Sequence, residues 1–159
     1  MTSTVALVRA VMGVLEGQLP AKLADADLPP VEKWLLYDAT LHPPITAPTL
    51  WVVVTQITPV APAGFGGSNR HHTRSRLVQI GFTCAGQDPE TAQLALCSYA
   101  DLIQETVLAN LTAGGTATDV KPGRVRLDLD LPRENALPAL YKFGLLEFAA
   151  ERWSGLGSD

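Results

Sequence analysis

Residues 75–96 constrain this chain more than any other stretch. Val78, Ile80, Phe82 and Cys84 alternate with Leu77, Gln79, Gly81 and Thr83, a period-two pattern that predicts a strand with the first set turned to a core. Gly86 breaks the strand, and Asp88-Pro89-Glu90 then opens a helix. Aspartate suits the N-cap because its carboxylate accepts from the free backbone N–H groups of the first turn. Proline suits the next position, where no N–H is required, and Glu90 complements the helix dipole. The helix is expected to run to about Leu111, before Gly114-Gly115, with Ala92, Ala95, Leu96, Tyr99, Leu102, Ile103 and Val107 on one face.

The flanking segments extend this frame. Val5, Val8, Val11, Met12, Leu15 and Leu19 form a helical stripe over residues 4–19, and Pro20 is expected to limit or kink that helix. Residues 24–49 are rich in proline, and within them VEKWLLYDATLH fits either a short helix or a short strand. LWVVVTQIT at 50–58 reads as a strand, and turn-forming residues make about 59–75 a long loop, the expected tip of a hairpin. At 124–131, Val125, Leu127, Leu129 and Leu131 alternate with Arg124, Arg126, Asp128 and Asp130, predicting a half-buried strand with a charged outer face. A last strand is expected over 139–150 with Gly144 as a bulge, followed by a frayed SGLGSD tail.

Strands on one sheet covered by helices make an α+β two-layer sandwich, mainly antiparallel, with an N-terminal helix and a long helix at about 88–111. A length of 159 residues and an apolar fraction of 47% suit one such domain spanning 1–159. The N-terminal apolar run has no basic region before it and is interrupted by Arg9 and Glu16, so it fits neither a signal peptide nor a membrane span.

No catalytic, metal or cofactor site emerges. GFGGSN at 64–69 lacks the lysine of a phosphate-binding loop and leads into a strand rather than a helix. His71 and His72 are adjacent, so in an extended segment they point to opposite faces and do not share a metal. Cys84 and Cys97 form no C-x-x-C pair and read as buried or semi-buried thiols of a reducing compartment. Asp128 and Asp130 share their strand face with Arg124 and Arg126, which reads as a charge-paired surface rather than a carboxylate dyad.

Charge is instead segregated. Net charge is -4, so nucleic acid would be met only by a local basic patch. Arg70, His71, His72, Arg74 and Arg76 form one, while every charged residue from Leu77 to Val120 is acidic. Glu90, Asp101 and Glu105 fall opposite the core stripe of the 88–111 helix, together with Leu94 and Leu108. Leucines among carboxylates suggest a contact site, against the plainer alternative of scattered exposed leucines. Only 18% of residues are charged, which leaves surface that partners could cover. A basic loop docking on the acidic helix of a neighbouring copy would be a head-to-tail contact.

The succession RLVQIGFTCAGQDPETAQLALCSYADLIQETVLANL, then RVRLDLDL, then ALYKFGLLEFAAERW resembles the tail-terminator (tail-completion) proteins of long-tailed bacteriophages. The resemblance spans roughly residues 70–153 and is one of element order. It implies a structural virion protein, not an enzyme, without cofactor. Such a protein forms a hexameric ring on the head-proximal end of the tail tube, ends tube polymerisation and docks the head-side connector, with DNA passing through the lumen. Its location would be the virion tail or neck, and the host cytoplasm during assembly. The 59–75 loop would face a neighbour, the tube or the lumen. Another neck protein, a stopper or adaptor, is the near alternative; a small cytoplasmic α+β enzyme or ligand-binding domain is the alternative of a different class.

Overall fold

The structure, a computed structural model, describes residues 4–42, 48–60, 71–85, 88–110, 119–127 and 141–155, with backbone alone at some strand ends. In chain order the elements are α1 (Thr4–Asp25), β1 (Lys33–Leu35), a 3-10 turn (Ala39–Leu41), β2 (Thr49–Val60), β3 (His71–Ala85), α2 (Pro89–Leu108), β4 (Asp119–Leu127) and β5 (Tyr141–Gly155). The strands form one sheet in the order β1-β2-β3-β5-β4. Only the β1–β2 pair is parallel. The chain is thus α+β, with an N-terminal helix and a later one on a mostly antiparallel sheet.

Both helices contribute to one core over one sheet face. Leu7, Leu15, Leu19 and Leu23 of α1 and Leu96, Tyr99 and Ile103 of α2 pack with Val52, Ile80, Phe82, Leu146 and Phe148 of the sheet. The alternation in β3 holds, since Val78, Ile80, Phe82 and Cys84 are all buried on this side. The opposite face carries a second buried cluster of Ala39, Trp51, Phe143 and Leu145, with Leu35 and Val53 against it. That explains why LWVVV shows no alternation: Leu50 and Val52 enter one cluster, Trp51 and Val53 the other.

α1 does not stop at Pro20 but continues to Asp25. Proline costs the helix one hydrogen bond, yet the extra turn buries Leu23 and brings Lys22 within 3.7 Å of Glu105 on α2. The buried stripe also differs from expectation. It climbs in steps of four from Leu7 through Val11, Leu15 and Leu19 to Leu23, and this rotates Val5 outward to 61% exposure. The helix ends in a Schellman arrangement: Leu28 N–H donates to Leu23 O at 2.8 Å and Asp27 N–H to Ala24 O at 3.1 Å, with Asp27 at φ 56°. A side chain in that left-handed conformation costs about 1 kcal/mol, so Asp27→Gly is expected to stabilise the fold by roughly that amount. Urea unfolding that shows no gain would contradict the assigned backbone.

Of the two readings for VEKWLLYDATLH, the strand is realised at Lys33–Leu35, followed by a 3-10 turn and no α-helix. Asp38 caps that turn, its carboxylate accepting from Thr40 N–H at 2.9 Å and from the Thr40 hydroxyl at 2.6 Å. The loop expected at 59–75 is shorter. Pro59 and Val60 belong to β2, and residues 71–75 belong to β3. β3 is a central strand, paired with both β2 and β5 as far as Thr73, and two ladders of backbone hydrogen bonds outweigh a turn-like composition. Residues 61–70 lie outside the described residues.

β5 is correspondingly longer than expected: Ser154 and Gly155, assigned above to a frayed tail, pair with His72 and His71. Gly144 is not a bulge, because the β3–β5 register runs unbroken through its pairing with Phe82. β4 begins earlier than expected, at Asp119, and its ladder slips between Pro122 and Val125. Pro122 has no N–H for the ladder. The slip leaves Val125 40% exposed, not in the core, while Val120 is buried. Arg126 pairs across to Glu147 of β5 at 3.7 Å, and Asp128, Leu129, Asp130 and Leu131 lie outside the described residues.

The start of α2 agrees with the sequence in detail. Asp88 accepts from Thr91 N–H at 2.8 Å and from the Thr91 hydroxyl at 2.9 Å, and Pro89 opens the first turn. These bonds hold the Asp88 carboxyl below its usual range. The helix ends at Leu108; residue 111 is outside the described set.

Candidate contact surfaces

The basic run does not form one loop-borne surface. Arg70 lies outside the described residues. His71, His72 and Arg74 sit in β3, in register with Gly155, Ser154 and Arg152 of β5. Arg76 is withdrawn from solvent at 5% exposure, and its Nε donates to the Thr4 hydroxyl at 2.9 Å. Arg76 follows the same alternation as Val78 and Ile80, which carries it onto the helix side at the start of α1. It is therefore an internal fastener, and its expected role against a lumen or subunit is corrected. Arg74 is in register with Arg152 of β5, one position from the Ser75–Glu151 pair.

On α2, Glu90, Leu94 and Asp101 are exposed, Leu94 at 60%. Glu105 is exposed as well but is drawn toward Lys22 of α1. Leu108 is not on a solvent face: it is half-buried and packs on the main core. Its turn lies against α1, where the side chains of Gln18 and Asn110 exchange hydrogen bonds of 3.4 and 3.2 Å. The acidic face thus reduces to Glu90, Leu94 and Asp101, with Glu105 at its margin.

Neither cysteine is in a disulfide; Cys84 is buried and Cys97 half-buried. Burial, and then the neighbouring Cys97, push the Cys84 thiol up to about 12 against the opposing charge of Lys142. A thiol held protonated this firmly is a packing group rather than a nucleophile. Tyr99, raised by burial and by Cys84, stays a phenol and donates its O–H to the carbonyl of Pro29, tying the proline-rich segment to α2. Among the described residues no group of three or more His, Cys, Asp or Glu is placed to hold a metal. No described helix is long and apolar enough to cross a membrane.

One surface was not anticipated. A groove of about 340 Å³ lies where β1 stops, lined by Thr4, Val5, Val8 and Arg9 of α1, Leu36, and Val53 and Val54 of β2. Three separate segments build it, so no local pattern announces it. The one available signal is that residues 49–60 contain no charged side chain. No family model matches the chain, and no curated protein matches it.

Proposed function

We propose that this chain is a structural virion protein, a tail terminator of a long-tailed bacteriophage. Copies assemble into a hexameric ring on the head-proximal end of the tail tube, end its polymerisation and join the tail to the head-side connector. The observation that supports this reading is the separation of charge on one molecule. α2 presents Glu90 and Asp101 around the exposed Leu94, while His71, His72, Arg74 and Arg152 hold register positions near one end of the β3–β5 pair. Opposite charge on two different surfaces suits a head-to-tail contact, and such a contact closes into a ring when the rotation between copies closes. Leu94 supplies the apolar centre that a contact of carboxylates alone would lack. Basic residues at a strand end also suit sequence-independent phosphate contacts with passing DNA.

The test reverses Glu90 and Asp101 to lysine together and leaves Glu105 in place, because Glu105 also approaches Lys22. Native mass measurement and negative-stain images of the protein, alone and with tail tubes, supply the readout. The parent is expected to form rings, free or on tube ends, and the double variant to remain monomeric and leave tubes unterminated. Rings that form equally well in the variant, or a parent that neither assembles nor engages tube ends, would remove this reading.

A further inference from the structure

We propose that the outer edge of β2 receives an extended peptide of a partner protein as an added strand, with apolar side chains in the groove beside α1 and a carboxylate on Arg9. β1 covers only Thr49, Leu50 and Trp51. Beyond Trp51, β2 has β3 on one side and, among the described residues, no strand on the other. Such an edge offers unpaired backbone N–H and C=O groups to any extended chain.

The two edges of the sheet are treated differently. β4 carries Lys121, Arg124 and Arg126, together with Pro122 and a register slip, the features that discourage edge pairing. β2 has no charge along its length; its slip falls between Val54 and Gln56 and its proline near the far end. The unguarded stretch is therefore centred on Val53, and that residue lines the groove. The groove continues the line of β1, since Leu36 follows the last residue of that strand. Val5 and Leu36 of its lining are exposed, as are Tyr37 next to Leu36 and Ile57 further along β2.

Charge selects the occupant. Among the described residues Arg9 is the one charged side chain lining the groove; it is exposed, and no described carboxylate bridges it. A second copy is poorly complementary from its own sheet edges. Its β2 has no carboxylate, and its β4 carries Lys121, Arg124 and Arg126 against a single acid, Asp119, at its first position. A partner strand with alternating apolar residues and one Asp or Glu meets both the groove and the arginine. This inference does not rest on the ring described above.

The probe is a nine-residue peptide, Val-Thr-Val-Thr-Glu-Thr-Val-Thr-Val, whose valines and glutamate share one face, capped at both ends, beside a version with lysine for glutamate. Titration into the full chain is followed by NMR amide shifts and hydrogen exchange. Backbone amides between Val52 and Thr58 are expected to shift and gain protection, with the glutamate peptide binding about two- to five-fold more tightly than the lysine one. Arg9→Glu should invert that preference, and Leu36→Lys should weaken both peptides. Absence of shifts in β2, or a preference unchanged by Arg9→Glu, would overturn the proposal. So would protection of the same amides that grows with protein concentration without peptide, because the occupant would then be a second copy.

Discussion

Gly81→Ala is expected to destabilise the fold by about 3 kcal/mol, the upper range for overpacking a well-filled core. A Cβ at this position would fall inside the indole of Trp51, against Cε2, Cζ2 and Nε1. Gly81 pairs with Trp51 on one side and Leu145 on the other, so the indole lies flat across the glycine. It has no room to withdraw. Trp51 is fully buried and stacks on Phe143 with ring centroids 5.5 Å apart. Its Nε1 finds no hydrogen-bond partner among the described residues, so packing holds the ring. The double variant Gly81→Ala with Trp51→Leu should recover part of the loss, a non-additivity expected of touching residues. Urea unfolding measures both, and a Gly81→Ala protein within about 0.5 kcal/mol of the parent would show that the indole does not lie there.

Phe82→Ala should cost about 3–5 kcal/mol by the same measurement. The Phe82 ring occupies the space above Gly144, with Cζ only 2.6 Å from where a Cβ would stand. On its far side it lies nearly parallel to Tyr99, with centroids 6.1 Å apart and planes 9° from each other. Removing it leaves a void over a residue that has no side chain to fill it. Gly144→Ala should therefore be harmful in the parent and neutral or helpful beside Phe82→Ala. Simple additivity of the two changes would refute this packing.

These two glycines show where sequence reasoning reached and where it ended. The alternation of β3 identified its inward set, and Asp88-Pro89-Glu90 located the start of α2, because both signals are written within a few residues. Gly144 fits a bulge by sequence, since a glycine in a strand does not reveal whether it bends the chain or accepts a ring from the next strand. Trp51 and Phe143 gave no sign that the second sheet face is also filled. Pro20 looked like a terminus, because the burial of Leu23 that offsets it depends on tertiary contacts.

The candidate surfaces divide along the same line. Glu90, Leu94 and Asp101 could be placed together from helical spacing alone. Leu108 sits at the same spacing, but the approach of α1 buries it. Arg76 reads as one more charge in a basic run, and only the folded chain shows it bonded to Thr4. The groove at Val53 was illegible because α1, Leu36 and β2 meet there from three parts of the chain.

The fastening of α1 has a consequence for the order in which the chain folds. Thr4 meets Arg76 across 72 positions, and Gln18 meets Asn110 across 92. During synthesis α1 meets the first of these anchors only after Arg76 has followed, and the second only after Asn110. Closing such long loops is slow, and a helix in a protein draws most of its stability from tertiary packing. The β2–β3 hairpin, whose pairings are far more local, is placed to form first. α1 is expected to lock down after that hairpin, so the apolar ladder from Leu7 to Leu23 waits uncovered for the strands it packs on.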